Sequence, residues 1–395
     1  MKVRLIFVLI VSSLALVAQE IPENKLYFGE IPPNDSARIL APGFISVPDR
    51  WEPCITFSRD LMSAYFYIEF WPNEGDNYIM STNYKNGKWT EPKKVSFAEG
   101  RKTGEPSFFP FSNTRLYLCS NKSVNQQGIV DLCYVEKNGD SWGDLISLGN
   151  PPNRDNLQFH PCVIADSSIY FAANKTGDIC KATYKDGRYL TPERLPFPIN
   201  GANTEKTWGD PFVEQNERYI IFKSTRKGGY GKNDIYITYK REDGKWTNPK
   251  NLGPKINTQY DETSGDITPD GKYMTFGSNQ DLYWVSTSFI RELKETNFAP
   301  YVNDSIRNLI VPINKRFTFE IPANAFIDDD GNETLRYSLQ MKDGGSIPEW
   351  LAFNIETLEI SGKPTKAGEY SLIIKVVDDD QATVFCSFMI EVQGN

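Results

Sequence analysis

Short apolar segments recur along the chain, and within them apolar and polar residues alternate with a period of two. Alternation over roughly four to eight residues is typical of a half-buried β-strand. The segments are separated by Gly, Pro, Asp and Asn, which favour tight turns. Clear examples are AYFYIEF, RLYLCSN, RYIIFKS and DIYITYK. The pattern therefore predicts an all-β protein.

Residues 224–252 are the clearest copy of a repeating unit. A Gly-rich turn precedes a strand that begins at Asp234, and an Asp-Gly hairpin turn leads to Trp246 and a further strand. Five copies follow one another at a period of about 50 to 55 residues, which indicates a propeller or an array. Their first strands lie in WEPCITF, GEPSFFPF, FHPCVIA, WGDPFVE and ETSGDITPDG.

The fifth copy ends after its third strand, so its sheet would lack an outer strand. A segment near residues 37–46, ARILAPGFIS, resembles the end of a repeat, as in ERLPFPING and KNLGPKINT. Pairing this segment with the fifth copy would remove an unpaired edge and close a ring. We therefore expect a five-bladed β-propeller over residues 25–293, closed by an N-terminal strand.

Two repeat segments, ITPDGKYMTFGS and STRKGGYGKNDIYITY, resemble the β-propeller repeat of TolB-type proteins of the bacterial envelope. The resemblance covers roughly residues 25 to 290 and is most specific in the fourth and fifth copies. Members of that family often have six blades, so a six-bladed propeller is the alternative.

The pattern changes near Asn297, and period-two segments such as RFTFEIPANAF, EYSLIIKVVD and VFCSFMIEV predict a β-sandwich over residues 294–395. This segment resembles the dystroglycan-type cadherin-like domain over its full length. PEWL at residues 348–351, SGKP at 361–364 and GEYS at 368–371 carry the resemblance. It implies a cadherin/Ig-like β-sandwich after the propeller.

The formal charge is −8 and the chain has no basic cluster, which argues against nucleic acid and anionic membrane surfaces as partners. The single histidine, His160, would have to serve any His-based nucleophilic triad. The six cysteines do not form a spaced disulfide framework. We interpret them as buried small hydrophobes, and Cys119 and Cys133 are the pair to test for a bridge.

Lys2 and Arg4 precede an apolar run that ends near Ala18. This arrangement predicts a signal peptide over residues 1–18 rather than a membrane span. No cysteine stands at the end of the run, which argues against lipoprotein anchoring. No later stretch is apolar for long enough to cross a bilayer. We expect a periplasmic or secreted protein with no membrane span after signal cleavage.

The residue ahead of each first strand is acidic or a histidine: Glu52, Glu105, His160, Asp210 and Glu262. Strands nearest a propeller axis present such positions to the central channel, so we predict a ring that binds a cation or a polar ligand. The same carboxylates could serve a glycosidase, and several sugar-cleaving enzymes are five-bladed propellers. Their equivalent positions argue for inherited scaffold, since a catalytic acid and base need unlike environments.

Calcium is the predicted cofactor of the C-terminal domain. Acidic and amide side chains stand at alternate positions of one turn, a spacing that lets oxygens converge on a hard cation. In the resembled family such ligands gather beside the preceding domain, which places the metal at the hinge with the propeller. The simpler interpretation is that these carboxylates keep the turns solvated. The predicted ligands are Asn297, Asp328, Asp330, Asn332, Asp378 and Asp380.

We therefore expect an exported, non-catalytic binding or scaffold protein. Its propeller would recognise a protein, peptide or glycan ligand in the cell envelope, and its cadherin-like domain would act as a calcium-stiffened spacer. The alternative is a carbohydrate-active enzyme that uses the axial carboxylates. The repeated aromatic residues are expected to pack between blades; they are Trp89, Trp142, Tyr189 and Trp246.

Overall fold

The computed structural model describes residues 26–69, 77–97, 99–108, 113–121, 130–154, 157–173, 177–201 and 209–394. The predicted signal peptide lies outside these ranges. Within them the all-β prediction is confirmed, because the described chain has one α-helix, α1 (Ser288–Lys294), two short 3-10 turns (Tyr27–Gly29 and Asn332–Thr334) and otherwise strands joined by turns and loops. Among the described residues no helix is long and apolar enough to span a membrane.

Five separate antiparallel sheets succeed one another along the N-terminal region. A short strand, β1 (Arg38–Ile39), precedes them. The first sheet contains β2 (Ile55–Phe57), β3 (Ser63–Ile68), β4 (Tyr78–Lys85), β5 (Lys88–Trp89) and β6 (Lys93–Lys94). The second contains β7 (Thr103–Phe108), β8 (Arg115–Asn121), β9 (Val130–Asn138), β10 (Ser141–Trp142) and β11 (Ile146–Ser147).

The third to fifth sheets repeat the same hairpin order. The third contains β12 (Gln158–Val163), β13 (Ile169–Ala173), β14 (Asp178–Ala182) and β17 (Glu193–Arg194), with the hairpin β15 (Tyr184–Lys185) and β16 (Arg188–Tyr189) beside it. The fourth contains β18 (Phe212–Val213), β19 (Tyr219–Ser224), β20 (Asp234–Tyr239) and β21 (Lys250–Asn251). The fifth contains β22 (Thr263–Ile267), β23 (Tyr273–Ser278) and β24 (Asp281–Ser286).

The N-terminal strand completes the fifth sheet. β1 pairs antiparallel with β24, with Arg38 opposite Trp284 and Ile39 opposite Tyr283. The prediction that a segment near residues 37–46 supplies the missing outer strand is therefore confirmed. The first and fifth sheets also adjoin at their first strands, where Thr263 Oγ1 donates to the carbonyl of Pro53 at 3.5 Å.

A polar side chain holds the third strand of several sheets in the same way. Asn153 accepts from the backbone N–H of Leu132 and donates to its carbonyl, at 2.8 and 2.9 Å. Asn257 bonds the N–H and carbonyl of Ile235 at 2.8 and 2.9 Å, and Asn200 repeats this arrangement in the third sheet. At the junction of the two chain ends, Ser46 takes the place of the asparagine and bonds Leu282.

The repeated aromatic residues pack largely against neighbouring elements. Trp89 and Trp246 are buried. Trp142 is partly buried, and its Nε1 donates to the hydroxyl of Tyr65 in the first sheet at 2.8 Å. Tyr189 is also only partly buried, so it differs from the two buried tryptophans.

The C-terminal region is a two-sheet sandwich. Its strands are β25 (Tyr301–Val302), β26 (Leu309–Pro312), β27 (Phe317–Glu320), β28 (Phe326–Ile327), β29 (Arg336–Met341), β30 (Leu351–Asn354), β31 (Glu359–Gly362), β32 (Gly368–Val377) and β33 (Thr383–Gln393). One sheet has the order β26-β33-β32-β29 and the other β27-β31-β30, and a short pair joins β25 to β28. Phe326, Ile360, Leu372 and Ile390 are buried in its core.

The two regions are joined by direct contacts. Arg241 Nη1 lies 2.6 Å from Asp329 Oδ1, and the backbone N–H of Asn248 donates to Asp329 Oδ2 at 2.5 Å. Lys250 donates to the carbonyl of Leu293 in α1, and its ammonium lies 3.2 Å from the ring centre of Phe298. The fourth sheet and the loop after it therefore contact the sandwich, and Phe197 beyond the third sheet adds a ring contact with Tyr301.

All six cysteines are buried and carry free thiols. Cys54, Cys119 and Cys162 come from the first, second and third sheets. Burial raises the pKa of the Cys162 thiol to about 12, and it raises the pKa of the other two thiols as well.

Replacing Asn257 with alanine should lower the free energy of unfolding by about 2 to 4 kcal/mol, because the buried N–H and carbonyl of Ile235 both lose their partner. Urea unfolding of the Asn257→Ala variant measures this loss. The exposed Asn324→Ala variant is the control and should unfold like the parent. A loss as small as that of the control would contradict a structural role for the repeated asparagine.

Candidate functional site

Three residues at equivalent positions share an unusual backbone conformation. Glu105, His160 and Asp210 have φ values of 51°, 51° and 41°, and each precedes a proline. A side chain in this left-handed region costs about 1–2 kcal/mol, and such strain clusters at functional sites. In the second and third sheets the residue lies within a β-bulge. Bulges redirect a side chain, so the shared conformation aims these three side chains alike.

The three side chains converge. One ligand atom from each of Glu105, His160 and Asp210 lies within 4.8 Å of those of the other two, and no second group of three His, Cys, Asp or Glu residues is so close in the described part of the chain. Glu105 Oε2 accepts from the backbone N–H of His160 at 2.7 Å and from the thiol of Cys119 at 3.0 Å. The arrangement brings two carboxyl groups and the imidazole ring of His160 together at one point.

Further charged groups complete the site, which we call the axial cluster: Glu69, Glu105, His160, Asp210, Lys223 and Asp266. Lys223 Nζ lies 2.5 Å from Asp210 Oδ2, and His160 Nε2 lies 3.5 Å from Asp266 Oδ1. Glu69 interacts with Glu105 and Lys223 through space. Four carboxyl groups thus share the cluster with two basic groups.

Burial and mutual repulsion perturb the carboxyl groups. Burial raises the pKa of Glu69 to about 7, and the nearby Glu105 adds to this shift. The pKa of Glu105 is raised as well, first by burial and then by Asp210, although His160 opposes the shift. Glu69 therefore binds a proton near neutral pH, and Glu105 keeps its proton to a higher pH than an exposed glutamate does.

The basic groups are held in their charged forms. Burial lowers the pKa of His160, but Asp266, Asp210 and Glu105 outweigh it and raise the value to about 9. The pKa of Lys223 is also raised, because Asp210 outweighs the effect of burial. His160 Nδ1 is buried without a hydrogen-bond partner among the described residues. The imidazolium is thus available to one more acceptor.

A cavity of about 370 Å³ opens onto this cluster. The first strand of every sheet contributes to its wall, through Thr56, Ser107, Cys162, Phe212 and Asp266. Asp266 lines the cavity and contacts His160 behind it. The cavity therefore lies where the five sheets meet, and Asp266 connects it to the buried charges.

Two of the five predicted ring residues do not join the cluster. Glu52 forms an ion pair with Arg50, and burial raises its pKa to about 7 although Arg50 opposes this. Glu262 accepts from Thr258 Oγ1 at 2.7 Å and from Ser278 Oγ at 2.8 Å. Three of the five predicted ring residues therefore lie together, whereas Glu52 lacks the left-handed backbone of those three and Glu262 precedes the bulge of β22.

Three members of the cluster were missed by the sequence reasoning. Glu69 directly follows β3 and Lys223 lies in β19, so both come from second strands. Their signal is a charged residue inside an apolar run, in AYFYIEF and RYIIFKS. Asp266 was missed because the bulge between Thr263 and Asp266 shifts the register of the fifth copy.

The predicted calcium ligands are only partly gathered. Asp328 N–H donates to Asn332 Oδ1 at 2.7 Å, and Asp330 N–H donates to Asp328 Oδ1 at 2.9 Å. Asn297 Nδ2 donates to Asp378 Oδ2 at 2.9 Å. These contacts bring the linker to the two acidic turns.

The acidic side chains at these turns differ in their exposure and in their hydrogen bonds. Asp328 and Asp378 are buried, whereas Asp380 is exposed. Asp328 Oδ2 has no hydrogen-bond partner among the described residues. Burial raises the pKa of Asp328 to about 6, with Asp330 and Asp378 adding to the shift. A cation at Asp328 would satisfy a buried oxygen that nothing else in the described chain satisfies.

Comparison with known proteins identifies the C-terminal region. Residues 299–393 match the family model He_PIG, described as "Putative Ig domain". The region is therefore an Ig-like domain, and its dystroglycan-type assignment stays a prediction. No curated protein matches the chain.

Solved structures resemble the chain at low identity. An alpha-L-arabinofuranosidase from Lactobacillus brevis has a TM-score of 0.39 and 12% identity, over 58% of this chain and 84% of its own. A gluconolactonase from Xanthomonas campestris has 0.36 and 11%, over 59% and 71%. A "putative alpha-galactosidase" from Bacteroides fragilis has 0.20 and 21%, over 25% of this chain and 18% of its own length. Likeness at these TM-scores supports no inference about activity.

Replacing Lys223 with methionine should lower the free energy of unfolding by about 3 kcal/mol at pH 8, because Asp210 and its acidic neighbours lose their buried counter-ion. The loss should be smaller at pH 5. Glu69 has a pKa of about 7 in the folded state, so it carries a proton at pH 5 and regains its charge only as the pH rises through about 7, and the raised pKa of Glu105 acts in the same direction.

Urea unfolding at the two pH values measures the difference. The Lys255→Met variant is the control, since Lys255 and its partner Asp35 are exposed, and its stability should hardly change with pH relative to the parent. Equal losses for Lys223→Met at pH 5 and pH 8 would show that the acidic neighbours do not titrate as described.

Proposed function

We propose that the chain is an exported, non-catalytic binding protein whose axial cluster receives a cationic group of its ligand. The convergence of Glu105, His160 and Asp210 from three successive sheets carries this proposal. Four carboxyl groups face only Lys223 and His160 there, so an added positive charge can take the place of the proton that Glu69 binds near neutral pH. A protein, peptide or glycan of the cell envelope can supply such a charge as a basic side chain or an amino sugar.

The cavity gives this ligand a route to the cluster. Arg218 pairs with Glu214 at 2.9 Å, and Arg59 and Asp270 also line the wall, so charges of both signs balance over this part of the cavity. Asp266 also lines the wall, with 20% of its side chain exposed. A positive charge would therefore gain most at Asp266, next to the buried acids.

The proposed scaffold is a five-bladed β-propeller of the TolB type. Five sheets of repeated order, a cavity lined by the first strand of each and the β1–β24 pairing support it. The described residues provide no sixth sheet of this kind between β1 and α1. Export is proposed from the predicted signal peptide, which lies outside the described residues.

We expect short lysine peptides and glucosamine oligomers to bind the full chain, and their uncharged analogues, acetylated lysine peptides and N-acetylglucosamine oligomers, to bind at least tenfold more weakly. Asp266→Asn should weaken binding about tenfold, which is about 1.4 kcal/mol, because the carboxylate at the cavity wall is lost. Isothermal titration calorimetry measures the affinities.

The Glu193→Gln variant is the control, since Glu193 is an exposed acid outside the cavity. Equal affinity for charged and uncharged probes, or an Asp266→Asn variant that binds like the parent, would overturn the cationic-ligand proposal. Cleavage of a glycan probe that Glu105→Gln abolishes would replace it with the enzyme alternative.

The enzyme alternative has one observation in its favour. Glu69 and Glu105 have raised pKa values and lie beside Asp210, and a glycosidase needs a protonated carboxyl near a second carboxyl group. Against it, His160 is 4% exposed, and Lys223 occupies one side of Asp210. A sugar ring would have to displace these contacts to reach the carboxyl groups, so binding at the cavity is the better account.

Calcium at the turn of Asp328 is the proposed cofactor site of the Ig-like domain. Asp328, Asp330, Asn332 and Asp378 would supply the oxygens, which are the ligands that Ca²⁺ prefers. The unpartnered Asp328 Oδ2 and the raised pKa of this carboxyl fit a cation bound at this turn. When bound, the ion would neutralise the repulsion among these acids and stiffen the junction.

We expect calcium to raise the melting temperature of the full chain and a chelator to lower it. At a hundredfold excess over Kd the stabilisation is about 2.7 kcal/mol. Asp328→Asn should remove most of the shift, whereas Asp380→Asn should keep it, because Asp380 is exposed away from the buried turn. A melting temperature that changes with neither calcium nor chelator would overturn the proposed calcium site.

A further inference from the structure

A second cavity lies between the second and third sheets, away from the axial cluster. Its volume is about 780 Å³, within the usual range for small-molecule and oligosaccharide sites. Four tyrosines line it: Tyr117 and Tyr134 from the second sheet, and Tyr184 and Tyr189 from the β15–β16 hairpin. We call this cavity the tyrosine groove.

The repeat explains why the groove exists. The aromatic residue after the hairpin turn is a tryptophan in the first, second and fourth copies, and it is Tyr189 in the third. Trp142 contacts the rings of Tyr65, Phe97 and Phe108 and bonds the Tyr65 hydroxyl. Tyr189 instead hydrogen-bonds the hydroxyl of Tyr117. A smaller ring at this place leaves open the space that an indole would help to fill.

The rings of the groove are partly free to contact a ligand. Tyr184 is 38% exposed and Leu190 is 39% exposed. The rings of Tyr184 and Tyr189 meet edge to face, with centres 5.1 Å apart. Exposed tyrosine faces with hydroxyl groups at their edges suit ligands that are apolar on one face and polar at the rim.

The charge of the groove is positive, on a chain whose net charge is −8. Arg188 is exposed and forms no ion pair with any residue in the described ranges. The guanidinium carbon of Arg115 lies 4.9 Å from the ring centre of Tyr134, and the same guanidinium forms an ion pair with the half-exposed Glu136. None of the described residues that line the groove is acidic. A guanidinium group binds a carboxylate through two parallel hydrogen bonds.

We propose that the tyrosine groove binds an acidic oligosaccharide, one that carries uronic-acid carboxylates. The C–H face of a pyranose ring packs on Tyr184, and the carboxylate pairs with Arg188. Ser147, Asn150 and Thr191 at the wall bond the sugar hydroxyls. A pyranose fits because it combines an apolar face, hydroxyl edges and a charge in one rigid unit, as the groove does. This site is independent of the axial cluster.

Titration calorimetry with a galacturonic acid tetrasaccharide tests the proposal, with the neutral galactose tetrasaccharide and a glutamate tetrapeptide as comparison probes. The acidic sugar should bind at least tenfold more tightly than either. Arg188→Gln and Tyr184→Ala should each weaken binding about tenfold, because they remove the carboxylate partner and the stacking surface. Both residues are exposed, and circular dichroism checks that the variants fold.

Matched controls are Lys185→Gln, a neighbouring cation that does not line the groove, and Tyr260→Ala, an exposed tyrosine elsewhere. Both controls should bind like the parent, and so should Asp266→Asn, which alters only the axial cavity. Affinity for the neutral sugar equal to that for the acidic one, or unchanged binding by Arg188→Gln, would overturn the proposal. Tighter binding of the glutamate peptide would make the groove a peptide site instead.

Discussion

The pairing of β1 with β24 is the contact on which the N-terminal region depends. Without it, β24 would present a row of unsatisfied N–H and carbonyl groups at an open edge. Ser46 strengthens the join by bonding the backbone of Leu282, and Leu40, Ala41 and Ile45 pack beneath it. The strand therefore brings a covering of buried apolar side chains, as well as hydrogen bonds, to the fifth sheet.

Much of this arrangement could be predicted from local sequence, because hairpin chemistry is local. Asp234 begins its strand and Gly244 has φ 80° at its turn, as the repeat pattern predicts. The joining of the chain ends was also predictable, since a repeat that lacks one strand requires a partner. The Ig-like domain was recognisable for the same reason, through regular strands and turns.

The axial cluster was only partly predictable, because its geometry depends on register. Glu105, His160 and Asp210 share a backbone conformation that follows from their place before a proline in a bulge. Glu52 also precedes a proline, but its backbone conformation differs and its side chain forms an ion pair with Arg50. Asp266 reaches the cluster because a bulge shifts the register of β22, and a single sequence does not reveal that shift. Residues from second strands join only once the sheets are packed around a common centre.

The contact between the two chain ends also bears on the chemistry of the buried thiols. Ser46 and Leu282 are 236 residues apart, and contacts of such separation slow folding. Once folded, Cys54, Cys119 and Cys162 are protected, because burial holds them as unreactive thiols. In the oxidising compartment that we propose, the unfolded chain exposes all six. Slow joining of the two chain ends would therefore lengthen the time during which these thiols can oxidise.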